Sequence, residues 1–218
     1  RNFGDGTFLD ETYVAGLGKG SIPYLSWGTR FCDFNNDGYR DIFIANGHLE
    51  SDVEIYENAT FAQKNQLFIN KGTGYFEELI PQTGALQIEK VSRGAAFGDY
   101  DMDGDIDVLV ANINDSPSLL RNDTETKNHW IRLHLVGSES NKSAIGARVV
   151  VFSDGLTQTD EVRSGASFLS QSSMSLHFGL GASEVLDKIV VYWPSGAIDT
   201  VKQVSVDKIV TLYEGRIK

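Results

Sequence analysis

Two short acidic segments carry residue types suited to a hard cation: Asp33–Asp41, which reads DFNNDGYRD, and Asp99–Asp107, which reads DYDMDGDID. Both fit D-x-[ND]-x-D-G-x-x-D, and both run directly into an apolar stretch. Oxygen-bearing side chains at alternate positions of a tight loop converge on one point, where calcium takes six to eight oxygens at roughly 2.3–2.6 Å. In the first segment the candidate ligands are Asp33, Asn35, Asp37 and Asp41, with the main-chain carbonyl of Tyr39. In the second they are Asp99, Asp101, Asp103 and Asp107, with the carbonyl of Asp105. Gly38 and Gly104 stand where each loop must reverse, a point that a side chain would obstruct. An EF-hand would add a bidentate glutamate at the twelfth loop position, but Ile44 and Val110 occupy it here. The expectation is two Ca2+ sites in loop-to-strand turns, the second tighter because it offers four carboxylates against three and an amide. A cage of protein oxygens leaves little room for substrate, so the sites are expected to be structural and the chain not an enzyme.

The elements that position these loops repeat with them. Ser26–Gly47 and Asn65–Gly84 form one unit, Ser92–Asp115 and Ser118–Trp130 a second, and Arg1–Thr12 matches the tail of a preceding one. Short strands are expected at Asp41–Asn46, Gln66–Asn70, Tyr75–Leu79, Asp107–Asn112 and Ser118–Arg121, with a short helix or long loop over Ser51–Lys64. The IFIA and VLVA runs are apolar at every position, which predicts burial on both faces. Repeats of several short strands point to propeller blades, and two blades cannot close a ring. The chain is therefore expected to be part of a longer one, or to have its open edge covered by a neighbouring subunit. From about Thr126–His129 the loops give way to alternating strands: Trp130–Gly137, Gly146–Gly155, Gln158–Gly165, Ser175–Gly181, Asp187–Gly196 and Asp207–Gly215. That pattern predicts an antiparallel sandwich or small barrel.

Composition sets the outer bounds. The chain has 218 residues, 41% hydrophobic and 22% charged, with a net charge of −11. This is a globular composition whose negative charge argues against nucleic acid and anionic membranes as partners. No apolar run approaches the roughly 20 residues of a membrane span. No secretory leader is legible, and the start at Arg1 is expected to reflect a segment lying upstream. Cys32, the single cysteine, reads as a small buried hydrophobe. No histidine has zinc spacing: His134 and His177 read as strand residues facing a neighbour or solvent, and His48 as lining a surface between blades. The hydroxyl-rich GASFLSQSS lacks a nucleophile elbow and reads as a turn leading into an edge strand, with Trp193 in the sandwich core. Sequons at Asn58, Asn122 and Asn141 permit glycosylation without requiring it.

The loops, with N-Q-L-F-x-N-x-G-x-G-x-F after the first, resemble FG-GAP/VCBS repeats, the integrin-α-like propeller blades, over Arg1 to about Asp123. FGDYDMDGDIDVLVAN fits almost fully, whereas Cys32 replaces the usual glycine in the first blade. NHWIRLHLVG, IGARVVV, EVRSGASFLSQSS, LHFGLG and IVVYWPSG resemble the ASPIC/UnbV domain, over Asn128 to about Gly215. The whole arrangement is similar to the C-terminal part of the family of cartilage acidic protein-like bacterial proteins. The resemblance implies an all-β chain: a partial β-propeller over 1–127, then an antiparallel β-sandwich-like domain over 128–218. It implies calcium ligation by the residues named above. The expected function is an extracellular or cell-surface scaffold or adhesion module, with periplasm and outer membrane as further settings. Expected partners are other blades of a longer chain, neighbouring subunits, or a protein or glycan ligand. The alternatives are a carbohydrate-binding module and an accessory region of an extracellular polymer-degrading enzyme.

Overall fold

In the computed structural model, which describes residues 1–216, regular structure is almost entirely β-strand. The chain divides into two compact units. The first holds Arg1–Cys32, Arg40–Ala95 and Val110–Ser118; the second holds Asp33–Tyr39, Ala96–Leu109 and Leu119–Lys218.

In the first unit β1 (Ser26–Cys32), β2 (Asp41–Asn46), β4 (Gln66–Asn70) and β5 (Phe76–Glu78) form an antiparallel sheet in the order β1-β2-β4-β5. Cys32 pairs with Asp41, and Ile42 with Phe68. Ile42, Phe43 and Ala45 of β2 are all buried, so its two faces are both covered, as an unbroken apolar run requires. Gly28 of β1 is needed for close approach: a Cβ there would lie 2.6 Å from the Ala95 amide nitrogen. The stretch over 51–64 is a long loop with one 3-10 turn, Val53–Ile55, anchored by buried Val53. It ends in β3 (Gln63–Lys64), which pairs with β6 (Glu89–Lys90). Near the N-terminus Asn2 bridges to Phe8, as Asn70 pairs with Phe76. The Asn2 carboxamide accepts from the Gly4 amide at 2.9 Å and that of Asn70 from Gly72 at 3.0 Å, so the two places share the same local turn.

A three-stranded sheet, β7 (Ser92–Gly98), β8 (Asp107–Asn112) and β9 (Ser118–Leu120), contributes residues to both units. Here the expectation of two buried faces fails. Val108 and Val110 are buried, but Leu109 on the opposite face of β8 is 49% exposed.

The second unit contains β10 (His129–Val136), β11 (Arg148–Ser153), β12 (Leu156–Glu161), β13 (Leu176–Gly181), β14 (Val185–Tyr192), β15 (Ile198–Ser205) and β16 (Lys208–Tyr213). They make two sheets, β13-β10-β16 and β12-β11-β14-β15. Alternate residues of both sheets meet in one core, including Ile131, Leu133, Val149, Val151, Phe178 and Ile189. Two features correct the sequence reading. β16 runs parallel to β10, Ile131 opposite Lys208 through Val136 opposite Tyr213, because the chain crosses from β15 in the other sheet before returning. And β15, not expected at all, is an edge strand that among the described residues pairs only with β14, so most of its IDTVKQVS side chains need not be apolar.

Candidate metal-binding loops

The second acidic loop joins β7 to β8 and is held at both ends. Asp107, buried at the start of β8, accepts the Tyr100 amide on Oδ2 at 2.9 Å and the Asn122 amide on Oδ1 at 2.8 Å. The Asp99 side chain is wholly inaccessible; its Oδ2 accepts the Gly104 amide at 3.2 Å and lies 2.9 Å from Nη1 of Arg132. Its Oδ1 is buried and, among the described residues, has no hydrogen-bond partner. Asp99, Asp101 and Asp107 each bring a carboxylate oxygen into a group whose members lie within 4.8 Å of one another.

Three grouped carboxylates, one of them with a buried oxygen that lacks a donor, are costly, and Arg132 offsets only one of the three charges. Burial, opposed by the Asn122 and Tyr100 amides, raises the Asp107 carboxyl above its ordinary range, with Asp101 and Asp103 adding to the rise. Burial and then Asp103 push Asp105 up to about 6 against an opposing hydrogen bond from Asn36. The donors are all oxygen, which suits calcium or magnesium rather than zinc or copper. These residues therefore fit a hard divalent cation. Asp103 is outside the three-carboxylate group, its Oδ1 accepting the Asp105 amide at 3.0 Å. Arg132 narrows the charge advantage expected of this loop, because its guanidinium already neutralises one of the four carboxylates.

The first loop is organised by its own hydrogen bonds. Asp33 is buried and accepts the Asp37 amide at 3.1 Å and the Gly38 amide at 2.8 Å. Asn35 donates from Nδ2 to Asp37 at 3.0 Å, and Asp37 accepts the Tyr39 amide at 2.8 Å. Asp41, fully buried at the start of β2, accepts the Asn70 amide at 2.8 Å, the counterpart of Asp107 with Asn122. Among the described residues, the first loop gathers no group of three carboxylates like that of the second.

Sequence reasoning missed the residues that hold the loops. Asn36, 1% exposed and with φ of 57°, donates from Nδ2 to Asp105 Oδ1 at 2.8 Å and to the Gly104 carbonyl at 3.3 Å. Its Oδ1 lies 2.7 Å from Nε2 of His177, and its carbonyl accepts the Gly181 amide at 2.9 Å. Burial, with Arg132 nearby, depresses the His177 pKa to about 3, so the ring is neutral and Nε2 carries the proton it donates to Asn36. The imidazole stacks on Trp130 with ring centroids 6.0 Å apart. Asn128 donates to the Asn35 carbonyl and Asn122 to that of Phe34. One signal was available: Asn36 and Met102 occupy equivalent loop positions, and both need the left-handed backbone that asparagine tolerates best.

The remaining candidates resolve simply. His129 pairs with Asp207 at 2.7 Å, His134 lies 3.4 Å from Ser175, and His48 accepts the Glu50 amide. Trp193 is in the core and donates to Asp199. The hydroxyl-rich segment before β13 pins its end to β7: the Phe97 amide donates to Ser172 Oγ and the Ser173 amide to the Phe97 carbonyl. Of the three sequon asparagines named above, Asn122 and Asn141 have their side-chain amides engaged with carbonyls, while Asn58 is exposed.

Residues 33–110 match the FG-GAP-like repeat family, and residues 137–218 match the ASPIC and UnbV family. The two matched regions follow one another along the chain. The chain is homologous to cartilage acidic protein 1 of Homo sapiens, with 25% identity over 244 aligned residues covering 89% of this chain and 36% of that protein. Against cartilage acidic protein 1 of Mus musculus the identity is 24%, covering 89% and 37%. The chain therefore spans little more than a third of the length of these relatives. Among the described residues, no helix is long and apolar enough to cross a membrane.

Proposed function

We propose that this chain is a calcium-stabilised protein-interaction module of an extracellular or cell-surface protein, without catalytic activity of its own. Its FG-GAP-like sheets act as blades of a propeller completed by other blades or by neighbouring subunits. One calcium ion is held at each acidic loop. The buried Asp99 carboxylate, whose Oδ1 has no donor among the described residues and which is grouped with those of Asp101 and Asp107, carries this reading, since a structural cation would supply the partner that this oxygen lacks. Extracellular fluids commonly hold enough calcium for sites of modest affinity, which supports a location outside the cell.

The test is a thermal melt of the purified chain in excess calcium, in chelator, and in chelator followed by magnesium. Chelation is expected to lower the Tm by several degrees, with recovery in calcium and little in magnesium, whose small octahedral shell a loop of this kind fits poorly. An unchanged Tm would remove the calcium reading.

A second reading, carbohydrate binding, draws on a groove of about 320 Å³ in the first unit, where Tyr24 offers a stacking face beside Lys19, Lys64, Asn65 and Glu78. Retention on a soluble polysaccharide, lost in Tyr24→Ala, would favour it.

A further inference from the structure

We infer that Asn36 is a positioning residue shared by the two cation loops, so that filling one loop raises the affinity of the other. The inference rests on the reading that both loops hold calcium, and Asp99 Oδ1 is the independent sign that the second loop expects a ligand. Asn36 stands between Asn35 and Asp37, two expected ligands of the first loop, yet its own side-chain amide is engaged with the second loop and with His177. Both its amide hydrogens go to the second loop, to the Gly104 carbonyl and Asp105 Oδ1. These are the residue where that loop turns and the residue whose carbonyl is its expected main-chain ligand. The amide cannot flip to release them, because its oxygen accepts from neutral His177. Nor can its backbone drift, being buried and tied through its carbonyl to Gly181.

A cation drawing Asn35 and Asp37 into coordination therefore fixes Asn36, and Asn36 fixes Gly104 and Asp105. The ordering cost of the second loop is then already met when its ion arrives, and reciprocity makes the reverse true. Asn122 reinforces the link, its amide nitrogen on Asp107 and its Nδ2 on the Phe34 carbonyl. Met102, the counterpart of Asn36 in the second loop, is 70% exposed, which leaves Asn36 as the directional element.

Calorimetric calcium titration of the metal-stripped full chain tests this. The unsubstituted chain is expected to take up two ions with a Hill coefficient above 1. Asp37→Asn and Asp101→Asn, which weaken one loop each, are expected to leave the intact loop about fivefold weaker or more, the lower end of ordinary couplings. Asn36→Gly keeps a residue tolerant of positive φ and is expected to bring the Hill coefficient to 1 or below with two ions still bound. His177→Gln, which retains a donor, should preserve the coupling, and His177→Phe should lose it. If Asn36→Gly fails to fold, that histidine pair decides the matter. No calcium uptake by the unsubstituted chain would overturn the calcium reading and this inference together. Two ions bound independently would overturn the inference alone, as would undiminished coupling in Asn36→Gly.

Discussion

At the scale of single residues, His177 illustrates how tertiary contact creates chemistry that the sequence does not announce. In SLHFGLG it has no metal spacing and no charged neighbour, yet burial and Arg132 take its pKa from 6.5 to about 3. Between those values the unfolded chain binds a proton that the folded chain refuses, so the folded state is fully stable above pH 6.5 and loses stability as pH falls below it. The slope is about 1.4 kcal/mol per pH unit. Denaturant unfolding at pH 7 and pH 5.5, compared between the unsubstituted chain and His177→Gln, should show this extra loss only in the former; equal losses would mean that the ring is protonated in the fold. The acidic loops, by contrast, stand out in the sequence, because a cation-binding reading of a tight loop asks for oxygen-bearing residues at fixed local spacing. Glu214 does not. It is buried where β16 ends, accepting the amides of Ser138, Glu139 and Ser140 and the hydroxyls of Ser140 and Ser195. Burial pushes its carboxyl up, but the Ser195 hydroxyl and the Ser140 and Ser138 amides outweigh that and bring it to about 2. Nothing local in LYEG reveals a nest assembled from residues so distant in the chain.

At the scale of elements, the loop glycines connect turn chemistry to packing. Gly104 has φ of 100°, and a Cβ there would overlap the Trp130 indole. Gly155, with φ of 77°, closes the β11–β12 hairpin with nothing within 4 Å of where a Cβ would be. Gly155→Ala is therefore expected to cost about 1 kcal/mol from backbone strain, and Gly104→Ala that strain plus displacement of the indole, about 3 kcal/mol or more. Chemical denaturation of both variants checks the difference, and equal costs would show that the Trp130 contact yields freely. Strand legibility follows the same physics. β2 was readable because both its faces are buried, whereas β15 hid because an edge strand with few buried positions can be almost wholly polar. The parallel pairing of β10 with β16 depends on a crossover between sheets, which no periodicity encodes.

At the scale of the whole molecule, the acidic loops keep company that their family resemblance alone does not suggest. Asp33–Tyr39 and Ala96–Leu109 fall in the same compact unit as the sandwich strands, not in that of the β1-β2-β4-β5 sheet. The ties are specific: Arg132 of β10 to Asp99, His177 of β13 to Asn36, and Gln158 of β12 to the Gly179 carbonyl behind the first loop, where a side chain would strike Asp33 and Asn36. If cations order the loops, their removal should be felt along β10 and β13 as well. The net charge of −11 adds general repulsion that bound cations would offset in part. Hydrogen exchange in calcium and in chelator is the direct measurement. Chelation is expected to speed exchange in both loops and to lower protection of the β10 and β13 amides by tenfold or more. The Gln66–Asn70 amides of β4, which lie in the other unit, should change less. A response confined to the loops would mean that the sandwich stands without them, and a uniform response would mean that calcium holds the molecule as one cooperative body.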